Sequence, residues 1–430
     1  MRMRPLVLVC SLFVPFVCFA QGSWQVLSAS SLSWRFEDLF FVNDSVGWAV
    51  DGGGQILKTT DAGSSWTQQF YNSNYYFRSV EFFDEQVGFA GTLSSALFRT
   101  EDGGATWVDI SASLPTVPAG ICGMSVADDT TIYLTGIFYS PAYIMRSTDR
   151  GTTWTHTSMS TLAFNLVDVH FKNTLEGYLA GTASLTAGQG RPVVLRTTDG
   201  GNNWTVAGLG ANQGERAWKI QFLNDSVGFA SIEELSPDPQ YLKTTDGGLS
   251  WTLQVVSPSI PTGTVQGVGF LTEEQGWLGG FNDLLFGTSD GGSTWSYQPS
   301  VGQSFNRFWR MNDSVMYVGG QQIYRYTDHA ISTIIQVPLE PGLQGHVFEL
   351  IGPNPVVGPA SVRLTLVNDT YVEVTVRDLA GRRVATLFQG MGNKGELSVP
   401  WDATGSAAGN YLLSLYTYHG YQVIQVVVGE

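Results

Sequence analysis

The sequence is poor in cysteine and in charged residues. Three cysteines occur among 430 residues, and Asp, Glu, Lys and Arg together make up 14% of the chain. Cys10 and Cys18 lie in an N-terminal segment that we expect to be removed, so Cys122 would remain alone and no intramolecular disulfide could form. Helix-rich proteins usually carry many Glu, Lys and Arg residues, whereas 50 glycines and 13% aromatic residues are typical of turn-rich all-β structure.

Positive charge is scarcer still, with 22 Lys and Arg against 37 Asp and Glu and a net charge of −15. A strongly acidic protein repels phosphate backbones and anionic lipid, which argues against nucleic-acid partners. Beyond the N-terminal segment, no stretch approaches the ~18 apolar residues of a membrane helix, so membrane insertion is not expected. We expect a monomer.

The first twenty residues have the order of a secretory signal peptide. Arg2 and Arg4 are followed by an apolar run over 5–17, and Ala20 ends the segment on a small residue. The sequence therefore predicts a signal peptide over 1–20 and a protein exported through the periplasm to the outer cell surface or the medium.

A thirteen-residue block occurs seven times. Its last residue is always aromatic and its fourth is always apolar, and most copies carry Asn, Asp, Glu or Thr at positions eight and nine, which favour a tight turn. Each block is thus interpreted as strand, turn, strand. The copies lie at 36–48, 77–89, 121–133, 166–178, 217–229, 265–277 and 305–317.

A second motif, of the form TTDGGNNW (197–204), follows six of the blocks. It resembles the Asp-box or BNR repeat of β-propellers. In such a turn the Asp carboxylate accepts backbone N–H bonds, a glycine adopts positive φ, and the Trp packs between sheets. We therefore assign a structural role to the six box aspartates, which are Asp61, Asp102, Asp149, Asp199, Asp246 and Asp290.

The seventh block lacks a box, and GSWQVLS (22–28) resembles the end of a box with its following strand. The N-terminal strand is therefore predicted to complete the seventh blade and close a ring without an open edge. The predicted fold is all-β: a seven-bladed β-propeller over 21–330 followed by a small Ig-like β-sandwich. An open solenoid is the alternative for the repeats.

The chain after residue 330 loses the repeat. We predict a linker over 331–347 and a β-sandwich over 348–430, because strand-like runs there alternate with turn residues. The segment resembles the C-terminal sorting domain of the type IX secretion system in Pro353-Asn354-Pro355, in VTVRDLAGR (374–382), in Trp401-Asp402 and in Gly409-Asn410-Tyr411. That resemblance implies a type IX secretion partner; an ordinary adhesive sandwich is the alternative.

The repeats disagree at the second and third positions of the block, which offer a candidate binding site. Positions two and three of the block sit where each inner strand enters the central channel, on the face away from the boxes. The aromatic residues Tyr71, Tyr75, Tyr76, Phe138, Tyr139 and Phe281 lie in nearby loops. The candidate residues are Glu37, Asp38, Arg78, Asp168, Trp218, Lys219 and Arg307.

No motif indicates catalysis, a metal site or a cofactor. The five histidines lack metal-ligand spacing, no arginine-bearing sialidase signature occurs, and six basic residues fill one repeating slot before the box: Lys58, Arg99, Arg146, Arg196, Lys243 and Arg325. In repeat number the chain resembles the photosystem II assembly and stability factor type of propeller, a binding family. We therefore predict a non-catalytic binding propeller for a protein or glycan ligand; a sialidase- or xyloglucanase-like hydrolase and an assembly factor for an envelope complex remain alternatives.

Overall fold

The computed structural model describes residues 22–32, 35–233, 238–256, 264–328, 347–352, 354–378, 383–404, 406, 408–417 and 420–429. The predicted signal peptide, nearly all of the predicted linker, Pro353 and residues 379–382 lie outside the described residues. The chain divides into two compact units. The first spans Gly22–Asp328, and the second contains the described residues from 347 onward.

The first unit contains seven four-stranded antiparallel sheets, and six of them are formed by four strands consecutive in sequence. The first three are β2 (Phe36–Phe41), β3 (Gly47–Asp51), β4 (Gln55–Thr59), β5 (Thr67–Tyr71); β6 (Phe77–Phe82), β7 (Gly88–Thr92), β8 (Leu97–Thr100), β9 (Val108–Asp109); and β10 (Gly123–Val126), β11 (Ile132–Thr135), β12 (Tyr143–Ser147), β13 (Thr155–Ser158). The next three are β14 (Ala163–Phe171), β15 (Gly177–Ala183), β16 (Pro192–Thr197), β17 (Thr205–Leu209); β18 (Arg216–Phe222), β19 (Gly228–Glu233), β20 (Gln240–Thr244), β21 (Thr252–Val255); and β22 (Val265–Phe270), β23 (Gly276–Gly280), β24 (Leu285–Thr288), β25 (Ser296–Tyr297). A 3-10 turn, Ser111–Ser113, and a short helix α1, Leu185–Gly188, interrupt the loops.

The seventh sheet joins the two ends of this unit. It contains β26 (Arg307–Arg310), β27 (Val315–Gly319) and β28 (Gln322–Thr327), and its outer strand is β1 (Ser23–Ser30). Trp24 lies opposite Tyr326 and Val26 opposite Tyr324 in the antiparallel ladder. Each innermost strand contacts the next one along the chain, and β26 contacts β2, so the ring of sheets is closed.

The aromatic residue at the last position of the block packs between neighbouring sheets. In five of the seven copies it packs on an aromatic sixth residue of the next block, as in Trp48 on Phe82, with ring centroids 3.5 Å apart, and Tyr133 on Phe171, also at 3.5 Å. The same contact closes the ring, because Tyr317 of the last block packs against Phe41 of the first at 4.5 Å. Buried aromatic pairs add specific geometry to their hydrophobic contribution.

The second unit has two antiparallel sheets around one core. One contains β29 (Val347–Ile351), β30 (Pro359–Leu366) and β33 (Gly395–Asp402); the other has the order β32 (Arg383–Gly392), β31 (Thr370–Asp378), β34 (Gly409–Thr417), β35 (Gly420–Val428). Val362, Val374, Trp401, Leu413 and Val426 belong to the shared core. The strand-like runs of the sequence, at 361–366, 371–376, 383–388, 410–416 and 421–428, predict the other five strands but not β29 or β33.

Candidate functional site

In every box turn the aspartate accepts the same two hydrogen bonds from its own turn. In the fourth, Asp199 Oδ1 accepts from the Thr197 hydroxyl at 2.8 Å and from the Asn203 backbone N–H at 2.9 Å. Gly201 has φ +83°, and the Trp204 indole donates to its carbonyl at 3.1 Å. Hydrogen bonds from neighbouring side chains and backbone groups lower the pKa of Asp199, so this carboxylate is occupied in holding its own turn.

The other five box aspartates make equivalent bonds to the hydroxyl two residues before and to the residue four positions after. Each box also lies against the turn between the first two strands of its own sheet, as in Ala62 N–H to the Ser45 carbonyl at 2.9 Å. The boxes therefore share one face of the ring, called the box face here.

The basic residues of the repeating slot also have structural contacts. Lys58 donates to the carbonyl of Gly103 in the next box at 2.9 Å and lies 5.0 Å from the centroid of Trp48. Lys243 repeats both contacts, with Gly291 at 3.1 Å and Phe229 at 5.6 Å. These cations join neighbouring sheets.

The opposite face is called the mouth here, and side chains from the innermost strands fill the channel below it in layers. A β-bulge falls at the second or third position of the block in five of these strands. In a regular strand consecutive side chains point to opposite faces, whereas a bulge re-aims one of them. Both positions can therefore face the channel, position two nearer the mouth and position three below it.

The third-position layer is an ion network that crosses the channel. Arg307 donates to Asp38 Oδ1 at 2.8 Å and to Asp168 Oδ1 at 2.7 Å and Oδ2 at 3.2 Å. Lys219 Nζ lies 3.8 Å from Asp168 Oδ1. The two carboxylates also accept backbone N–H bonds, Asp38 from Val80 and Asp168 from Ile220. Four separate sheets are thus tied together.

Burial and charge act in opposite directions on these groups. Burial alone would raise the pKa of Asp168, but Arg307 and Lys219 hold it below its usual value. The pKa of Lys219 is lowered to about 8, chiefly by burial and also by the neighbouring Arg307 cation, whereas Asp168 and Asp38 act to raise it. Both side chains are almost fully buried, so the network is a buried set of ion pairs that joins the innermost strands beneath the mouth.

The mouth contains a cavity of about 480 Å³. Its lining comes from loops and strand ends of five sheets and includes three guanidinium groups, two carboxylates and four aromatic rings. The charged and aromatic lining residues are Arg35, Glu37, Tyr76, Arg78, Phe138, Arg216, Trp218, Glu233 and Phe281.

Glu37 lies at the base of this cavity with four side chains around its carboxylate. Arg35 Nε donates to Oε1 at 3.1 Å, the Tyr76 hydroxyl donates to Oε1 at 2.5 Å, and Arg78 Nη1 pairs with Oε2. Asn306 Nδ2 donates to Oε2 at 3.0 Å. Burial lowers the pKa of both Arg35 and Arg78 to about 10, so both guanidiniums remain charged at neutral pH.

The aromatic rings stack with the arginines. The guanidinium carbon of Arg35 lies 4.7 Å from the centroid of Phe281, and that of Arg78 lies 5.0 Å from the centroid of Trp218. Arg216 approaches the same indole at 5.9 Å and pairs with Glu233 at 3.0 Å. Guanidinium–aromatic stacks present flat, amphipathic walls of the kind found in binding sites.

A second cavity, of about 160 Å³, lies along the channel and is lined by Glu81, His170, Arg307 and Trp309 among others. Burial raises the pKa of Glu81 to about 8 and lowers the pKa of His170 to about 4. Both side chains are therefore largely neutral near pH 7, which is the form that desolvation favours.

The structure separates the seven candidate residues into two sets. Glu37, Arg78 and Trp218 line the mouth cavity, whereas Asp38, Asp168, Lys219 and Arg307 form the ion network beneath it and do not line that cavity. Of the aromatic residues named from the sequence, Tyr76, Phe138 and Phe281 line the cavity.

Sequence reasoning missed Arg35, Arg216 and Glu233. Arg35 and Arg216 each stand immediately before a block, as Tyr76 does, so the position preceding the block carries the signal that could have found them. The structure thereby brings together an arginine cluster that no motif in the sequence indicates.

In the described part of the chain, no group of three or more His, Cys, Asp or Glu side chains could hold a metal ion. None of the helices there is long and apolar enough to cross a membrane. Cys122 is buried with a free thiol.

Comparison with known proteins supports the propeller. The family described as Photosynthesis system II assembly factor YCF48 matches residues 18–158, while no curated protein matches. The structure of YCF48 bound to D1 peptide is 17% identical with a TM-score of 0.54, over 72% of this chain and 96% of that one. YCF48 from Cyanidioschyzon merolae gives 17% and 0.55, over 71% and 98%.

A third solved structure extends across both units. PorZ, a bacterial surface component of the type IX secretion system of Porphyromonas gingivalis, is 15% identical with a TM-score of 0.50 over 94% of this chain, which spans 61% of that protein. At such identities the likeness is one of fold. The predicted all-β propeller is confirmed.

Proposed function

We propose that this protein is an exported, non-catalytic binding propeller whose ligand occupies the mouth cavity. The observation that carries the proposal is the convergence of three arginines and four aromatic rings in a cavity of about 480 Å³. Concave sites with a few charged groups among apolar walls are the usual form of a ligand pocket. A propeller of similar fold, YCF48, is known bound to a peptide, which supports a peptide as the ligand; a glycan is the alternative.

The test is binding of the full-length mature chain to glycan and peptide arrays. We expect Phe281→Ala and Arg216→Ala to weaken binding about tenfold or more, because both side chains line the cavity. The matched control is Leu249→Ala, which removes an exposed side chain on the box face and should leave affinity unchanged. Equal losses of affinity in all three variants would overturn the assignment of the mouth cavity as the ligand-binding site.

A sialidase-like hydrolase is the second candidate, because Tyr76 donates to Glu37 at 2.5 Å beside Arg35 and Arg78. Some sialidases use a tyrosine nucleophile. Two observations favour binding instead: Glu37 occupies the two guanidiniums that would hold a substrate carboxylate, and burial raises the pKa of Tyr76, which disfavours the phenolate. Release of sialic acid or reducing ends that disappears in Tyr76→Phe would establish the hydrolase.

The proposal also includes the route of export. Residues 1–20 would direct the chain across the inner membrane, 21–330 would be the cargo, 331–347 the linker, and 348–430 the address read by the type IX secretion machinery. The separate core of the second unit supports a domain recognised by itself. Truncation after Val337 should leave the propeller in the periplasm, measured by fractionation with immunoblotting. If the truncated and full-length proteins appear outside the cell in equal amounts, an adhesive role for residues 348–430 would be favoured.

Assembly of an envelope complex remains an alternative form of the same binding function, since the matched family is an assembly factor. A ligand that is a subunit of one complex should copurify with the wild-type protein and be lost with Phe281→Ala. A free glycan ligand would give array binding without a copurifying complex.

A further inference from the structure

Glu37 is surrounded in the way that a bound carboxylate is surrounded in a receptor. Two guanidiniums, a phenol and a carboxamide converge on its two oxygens. Pairs of arginines are the groups best suited to recognise a carboxylate. Here the protein's own side chain fills that position.

The side chains that surround the Glu37 carboxylate, called the clamp here, have hydrogen-bond donors that Glu37 does not use. Within the described residues, Nη1 of Arg35 and Nε of Arg78 are buried and have no hydrogen-bond partner, although both side chains line the cavity. Three arginines face two carboxylates, so Glu37 reduces the positive charge of the cavity without cancelling it.

We propose that Glu37 is a specificity-determining residue. Its carboxylate occupies the Arg35–Arg78 pair as a ligand carboxylate would. The base of the cavity therefore selects ligand groups without negative charge. The inference rests on the proposed function, because it concerns the same cavity. The ligand class is then a group with an uncharged, flat end that contacts the stacks of Phe281 and Trp218.

Replacing Glu37 and adding a small carboxylate tests whether Glu37 fills the position of a ligand carboxylate. Glu37→Ala removes one methylene and the carboxylate, which together correspond to acetate. In the full mature chain, acetate should raise the melting temperature of Glu37→Ala by several degrees, whereas acetamide or chloride at equal concentration should not. The wild-type protein should not respond to acetate, because Glu37 already fills the clamp.

Two variants control the rescue. Glu37→Ala combined with Arg78→Gln should lose the response to acetate, because half of the clamp is gone. Glu233→Ala also removes a cavity carboxylate beside an arginine, but this pair is partly exposed, so water replaces the carboxylate and acetate should have no effect. An equal acetate shift in the wild type and Glu37→Ala, or none in either, would overturn the proposal.

Glu37→Gln keeps the test decisive if Glu37→Ala does not fold. Its amide keeps the shape but removes one negative charge, so benzoate should bind about tenfold more tightly than to the wild type, measured by NMR titration, while benzamide should bind both equally. Equal benzoate affinities would contradict the role of Glu37. Because neither probe depends on the natural ligand, failure here is distinguishable from failure of the array experiment, which tests the cavity itself.

Discussion

The box face and the mouth use the same seven repeats in different ways. On the box face, each aspartate repeats one set of hydrogen bonds to its own turn, so the side chains are spent on local structure. At the mouth, the corresponding ends of the sheets carry different residues, which reach across the channel to other sheets, as Arg307 reaches Asp38 and Asp168. The repeated box aspartates stabilise the turns of their own sheets, whereas the divergent residues at the mouth and in the channel make contacts between sheets across the ring.

The largest expected effect comes from removing residues 22–30, which tests the one sheet without a box. Loss of β1 would expose β28 and remove buried Leu27 and the contact of Trp24 with Trp277 at 5.1 Å. We expect aggregation and a loss of unfolding free energy beyond the ~3–5 kcal/mol of one buried Trp→Ala change. The measurements are light scattering and thermal melting.

The exposed Val26 of β1 provides the control for that deletion. Val26→Ala should leave the melting temperature nearly unchanged. A deletion variant that melts with the wild type would show that the ring does not depend on the shared strand.

The second prediction compares a channel aspartate with a box aspartate. Asp168→Ala leaves Arg307 and Lys219 buried beside one fewer carboxylate, and breaking a buried ion network in this way typically costs about 3–5 kcal/mol. Asp61→Ala removes an exposed carboxylate that holds a single turn, so we expect a much smaller loss. Urea denaturation measures both; equal losses would remove the distinction between the two faces.

The third prediction concerns the pH dependence of stability that arises at the cavity along the channel. Burial raises the pKa of Glu81 to about 8, above its unfolded value of ~4.3. The folded state therefore binds this proton more tightly, and the stability it contributes is complete below the unfolded pKa and is lost as pH rises through 8. Glu81→Gln should remove that dependence and stabilise the protein at pH 9 relative to the wild type by the order of a few kcal/mol.

The melting temperature of both proteins between pH 5 and 9 measures this effect. Exposed Glu85, which pairs with Asn43 at 2.8 Å, supplies the control, since Glu85→Gln should follow the wild-type curve. If Glu81→Gln and the wild type keep a constant difference at every pH, Glu81 is ionised in the folded protein and the prediction is wrong.

Much of the propeller was predictable because its determinants are local. The box hydrogen bonds span four residues, and the strand–turn–strand block spans thirteen. The local structure of each copy is therefore determined by residues within that copy. The positions that repeat most strictly, such as Trp48 and Tyr133, are the ones that stack on the neighbouring sheet. In the second unit the local signal was weaker. The strand Gly395–Asp402 alternates between exposed and more buried residues. It was not predicted because it contains a proline and lies between glycine-rich segments.

The sequence by itself determined the all-β repeats, the structural role of the box aspartates and the divergence of the residues around the channel. Only the tertiary structure decided which divergent residues meet. The bulges turn positions two and three into separate layers, so Glu37 joins Arg35, Arg78 and Tyr76 while its neighbour Asp38 joins Arg307. Arg216 comes from a strand about 180 residues after Arg35, and closure of the ring is what brings such distant side chains to one cavity.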